Sequence, residues 1–92
     1  MIKEYTYHID AGHGYLEVPL ADALRLGLTL KDFAHYSFSR VTELFVPTLY
    51  LEGDCHMSMF LGAMQSKGEQ FKLIEIVHDW DAPCREYGRI EG

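Results

Sequence analysis

Tyr5 to Leu20 reads YTYHIDAGHGYLEVPL. Tyr5, Tyr7 and Ile9 alternate with Thr6, His8 and Asp10, the period-2 pattern of a half-buried strand, and we start this strand at Glu4. Ala11-Gly12-His13-Gly14 follows, with two glycines able to take the positive φ that tight hairpin connections favour. Tyr15 to Val18 returns as a second strand, with Leu16 and Val18 facing inward if Tyr15 and Glu17 face outward. Pro19 lacks an N–H, so it either stops the ladder or opens a helix at its first turn. The stretch is therefore a hairpin, and it also concentrates polar side chains with chemical potential.

Outward from the hairpin, Leu20 to Leu26 reads as a two-turn helix with Leu20, Ala23 and Leu24 at i, i+3 and i+4 and Gly27 beyond its end. Leu28 to His35 is ambiguous, with a helical turn around Lys31-Asp32-Phe33 as one reading. Tyr36 to Thr42 and Thr48 to Glu52 carry the aromatic and aliphatic residues of a second strand pair, joined by an unusually apolar link through Pro47. Asp54 is placed to cap a helix from Cys55 to about Lys67, closed by Gly68, with Met57, Phe60, Leu61 and Met64 as its apolar stripe. Phe71 to Val77, FKLIEIV, is nearly continuous in apolar character and reads as a central strand. His78 to Gly92 reads as a polar tail. The order ββαββαβ implies one α+β domain over residues 1–92, with a mainly antiparallel sheet of about five strands and both helices on one face.

Composition narrows the function. With 92 residues there is room for one core, and 48% hydrophobic and 24% charged residues are ordinary globular values. Fourteen acidic side chains against 8 basic ones give a net charge of −6, the wrong sign for gripping phosphates, so direct nucleic-acid binding is not expected. The acidic residues are spread along the chain, which fits a solvated surface better than a nucleic-acid mimic. Cys55 and Cys84, far apart and without a leader-like N-terminus, suit a reducing compartment. No apolar run nears the ~18 residues of a membrane span, so the expectation is a cytoplasmic protein.

Three groups of residues could carry chemistry. His8, Asp10 and His13 are a legitimate first shell for zinc or iron, although their spacing matches no strong metal signature. His78-Asp79-Trp80-Asp81 offers a second polar cluster, and an acid–base pair with His8 or His13 would need the sheet to bring them together. Cys55 beside a helix start could have a lowered pKa, yet His56, its neighbour, points elsewhere on a helix and forms no dyad by adjacency. Tyrosine is favoured at contact surfaces, so a sheet face bearing Tyr5, Tyr7, Tyr15, Tyr36 and Tyr50 uncovered would be a binding site. Met59, which falls off the helix stripe, is placed to join it.

The segments HIDAGHGYLEVP (8–19), SFSR (37–40), TLYLEGDCHMSMFL (48–61) and FKLIEIVH (71–78) resemble a family of small single-domain proteins of bacteriophages and proteobacterial plasmids. Its hairpin motif is His-Asp-Ala-Gly-His-Gly-aromatic-Leu-Glu-Val, and this chain departs from it by inserting Ile9 after His8. The resemblance implies a mobile-element origin and assigns no residue a role. It favours a small acidic binding protein that contacts a host or phage protein, with inhibition of a host defence complex as one instance. The rivals are an enzyme using His8, Asp10 and His13, and a homodimer built on exposed strand edges.

Overall fold

Eight strand residues, a four-residue connection and six more strand residues open the fold as an antiparallel pair, as anticipated: β1 (Ile2–Ile9) and β2 (Gly14–Pro19). The computed structural model describes residues 2–33, 38–41, 46–53, 55–78 and 88–89. Asp10 N–H donates to the His13 carbonyl at 2.9 Å, which closes the turn around Ala11 and Gly12. Neither Gly12 nor Gly14 takes a positive φ, which among the described glycines occurs at Gly27 and Gly68. Instead the Asp10 carboxylate accepts the backbone N–H groups of Gly12 at 3.0 Å and His13 at 2.8 Å, an Asx-type reversal. Gly14 is needed for a different reason. The Tyr7 ring lies across it, and a Cβ there would sit 2.0 Å from the Tyr7 hydroxyl.

Pro19 ends β2 and directly precedes α1 (Leu20–Arg25), which closes at Gly27 with φ 84°. Ala23 and Leu26 are buried and Leu20 packs against the core, whereas Leu24, expected on the same stripe, is 53% exposed. A single 3-10 turn, Leu30–Phe33, places Phe33 in the core. β3 (Phe38–Val41) and β4 (Pro47–Glu52) form the second antiparallel pair, and β4 also borders β2. The anticipated strand residues Tyr36, Ser37 and Thr42 and the cap Asp54 lie outside the described residues, as do Asp79, Trp80, Asp81, Pro83, Cys84 and Tyr87.

α2 (His56–Ser66) buries His56, Phe60 and Met64, and Gly68 follows it at φ 72°. β5 (Gln70–Val77) then pairs parallel with β1, and β6 (Gly88–Arg89) adds two residues beside β3, within the stretch expected to be a polar tail. The sheet order is β5-β1-β2-β4-β3-β6, with four of its five pairings antiparallel. Both helices cover the same face, where Tyr5, Leu16, Val18, Leu49 and Leu51 pack with Ala23, Phe60 and Met64. Burying each of the large aliphatic or aromatic members stabilises the fold by roughly 1.5–3 kcal/mol.

One expectation is overturned. β5 is not central but an edge strand. The hairpin occupies one side of β1 and β4 takes the open side of β2, so a strand arriving after α2 finds β1's remaining side. Phe71 and Leu73 pack toward the core, while Ile74, Ile76 and Val77 are 44%, 43% and 73% exposed.

Candidate functional site

Strand alternation places Thr6, His8, Tyr15 and Glu17 on the sheet face away from the helices, and the register sets His8 opposite Tyr15 and Thr6 opposite Glu17. His8 and Glu17 are therefore diagonal neighbours, within reach of long side chains. His8 Nε2 lies 2.9 Å from Glu17 Oε1, and its Nδ1 lies 3.0 Å from Nε2 of His78. His78 arrives because its N–H donates to the Ile9 carbonyl at 2.8 Å, extending the β1–β5 ladder by one step. The two imidazoles stack with centroids 5.2 Å apart, and the His8 ring also leans on Tyr50 at 5.9 Å.

The direction of each hydrogen bond follows the tautomer: with its proton on Nε2, His8 donates to Glu17 and accepts at Nδ1 from His78 Nε2–H. Each His8 nitrogen is engaged by a different partner on opposite sides of the ring, so the three groups do not converge on one point. Among the described residues no group of three or more His, Cys, Asp or Glu could hold a metal ion. The row ties the end of β5 to β1 and β2.

The sequence-derived shell His8, Asp10 and His13 is not assembled. Asp10 is buried at the turn and occupied with Gly12 and His13 N–H groups, while the His13 side chain is exposed and its ring lies 6.3 Å from that of Tyr15. The adjacent pair Cys55 and His56 likewise makes no dyad. Cys55 is exposed, and His56 is buried with Phe33 edge-on at 5.5 Å, which pushes the imidazole pKa down by desolvation.

The anticipated tyrosine surface is not exposed either. Tyr5, Tyr15 and Tyr50 are buried, Tyr7 is half-buried over Gly14, and Tyr36 lies outside the described residues. Tyr5 donates its hydroxyl proton to Asp22 Oδ2 at 2.7 Å and meets Phe60 edge-on at 5.3 Å, so it pins β1 to both helices. Burial, then the Asp22 hydrogen bond, pushes its pKa well above the ordinary phenol value. Met59 packs against the core instead of facing outward.

Where Pro19 ends the ladder, the strands part around a notch of about 350 Å³. Three carboxylates, Glu4, Glu17 and Asp22, line it against one ammonium, Lys3, so its field is negative and disfavours phosphate-bearing ligands. Of the seven exposed large hydrophobics among the described residues, three lie on β5: Ile74, Ile76 and Val77. The His78-to-Ile9 hydrogen bond shows that even-numbered β5 residues bond inward to β1, so Phe71, Leu73, Glu75 and Val77 turn their backbone N–H and C=O groups outward. No described strand pairs with that side.

Comparison of the chain with protein-family models, curated proteins and solved structures finds no match. No helix among the described residues is long and apolar enough to cross a membrane.

Proposed function

We propose that this is a small acidic binding protein that works by protein–protein contact through the β5 side of its sheet. The observation that carries the reading is the half-exposed pair Ile74 and Ile76 on the helix-free face, bordering an eight-residue edge with outward backbone groups. Such edges are normally blunted, and a chain that leaves one apolar invites a partner. The resemblance to phage and plasmid proteins supports a host or phage protein as that partner, and inhibition of a host defence complex is one instance of such a role. The enzyme rival loses ground because both His8 ring nitrogens are already engaged, which suits holding strands together more than taking a substrate proton.

The test is capture from host and phage-infected lysates on immobilised wild-type protein beside Ile76→Glu. Wild-type capture of a discrete protein that Ile76→Glu fails to retain is the expected result. Equal capture by both proteins, or none by either, overturns the reading.

A further inference from the structure

The outward backbone groups of β5 belong to its odd-numbered residues. An antiparallel partner strand related by a two-fold axis must pair outward residues with outward residues, so the numbers of facing residues sum to an even value. A two-fold axis through Glu75 would set two carboxylates against each other, and one through Lys72 would oppose two ammonium groups. An axis through Leu73 leaves the outermost apolar residue, Val77, facing Glu69 of the second copy. An axis through Ile74 opposes no like charges and gives Val77 an apolar partner. It sets Phe71 against Val77 and Leu73 against Glu75 as hydrogen-bonded pairs, with Ile74 on Ile74 and Lys72 against Ile76 between them.

We infer that the outer edge of β5, which no described strand pairs, is closed by a second copy of this chain, antiparallel, with the two-fold axis at Ile74. The inference rests on the reading above that the β5 side is the contact surface, and it names the first occupant of that edge. One observation, the charge of the edge, favours a second copy over a foreign strand, and two consequences of the pairing agree with it. The edge is charge-neutral, with Lys72 and Glu75, in a chain of net charge −6, so the region least opposed to self-association is this one. Val77, the most exposed large hydrophobic among the described residues, gains an aromatic neighbour from the other copy. The pair Ile74 and Ile76 becomes a four-isoleucine patch across the axis on the helix-free face. The surface assigned to the foreign partner is therefore incomplete in one copy and whole in two.

Light scattering on the full chain over a range of concentrations should give twice the 10.6 kDa chain mass. Ile74→Lys opposes two ammonium groups at the axis and should weaken dimerisation about tenfold or more, with an unchanged circular dichroism spectrum. In a Cys55→Ser, Cys84→Ser background, Ile74→Cys should oxidise to a disulfide-linked dimer, because facing non-hydrogen-bonded residues sit about 4.5 Å apart at Cα. Lys72→Cys in that background should not. A chain that stays monomeric at about 0.1 mM, or cross-links at 72 in preference to 74, overturns the inference. The two readings fail separately. Ile76→Glu faces Lys72 of the other copy and keeps the dimer, so a dimer whose Ile76→Glu variant still captures the same proteins removes the foreign-partner reading alone. A monomer whose capture is lost in Ile76→Glu removes the dimer alone.

Discussion

Single residues here are held by contacts that their local spacing does not announce. Gly14 is one, since a methyl group there would collide with the Tyr7 hydroxyl. Gly14→Ala should cost about 1–3 kcal/mol by displacing a rigid ring, read as a lower urea midpoint. Gly62→Ala, in α2 with nothing within 4 Å of its added Cβ, should instead stabilise by roughly 0.5–1 kcal/mol. His56 gives a pH signature. Its folded pKa lies below the ordinary 6.5, so the unfolded chain takes up the proton more readily. Its share of stability is full above that value and declines as pH falls through it toward the folded pKa. Urea titrations from pH 8 to 5 should show the decline, and His56→Phe should flatten it; an equal slope in both proteins would assign the effect to other groups. Of these features the Asx-type turn was partly legible, because His-Ile-Asp-Ala-Gly-His marks a reversal, although Asp10 and not a positive-φ glycine makes it.

At the scale of elements, β5 separates composition from position. FKLIEIV has the apolar content of a buried strand, yet even and odd residues live differently at an edge. In the monomeric Ile74→Lys variant, hydrogen exchange at the Leu73, Glu75 and Val77 amides should run at least about tenfold faster than at the substituted position and at Ile76, whose N–H groups bond to β1. Uniform protection along β5 in that variant would contradict the hydrogen-bonding parity. α1 is too short to stand alone, and what anchors it is Tyr5 through Asp22 together with the Arg25–Glu69 ion pair. The ion pair is largely solvated and contributes little. Tyr5→Phe should cost about 1–2 kcal/mol, since Asp22 loses its donor in a half-buried setting.

For the whole molecule, one core under one sheet face carries most of the stability. Phe60→Ala should remove roughly 3–5 kcal/mol, a large part of the ~5–15 kcal/mol of a small domain, so thermal unfolding should shift down strongly or vanish. The sequence by itself determined the α+β class, the hairpin, the α2 stripe and the order ββαββαβ, because those follow from local periodicity, proline and glycine placement and turn chemistry. It did not show that His8 meets Glu17, a contact that depends on the hairpin register. Only the tertiary structure decided that β5 lies beside β1 at the edge and that His78 completes the Glu17–His8 row. It also decided that Tyr5, Tyr15 and Tyr50 are buried. The register of a parallel pair 68 residues apart depends on which strand edges remain open after the hairpin and β4 have docked, and no local pattern encodes that.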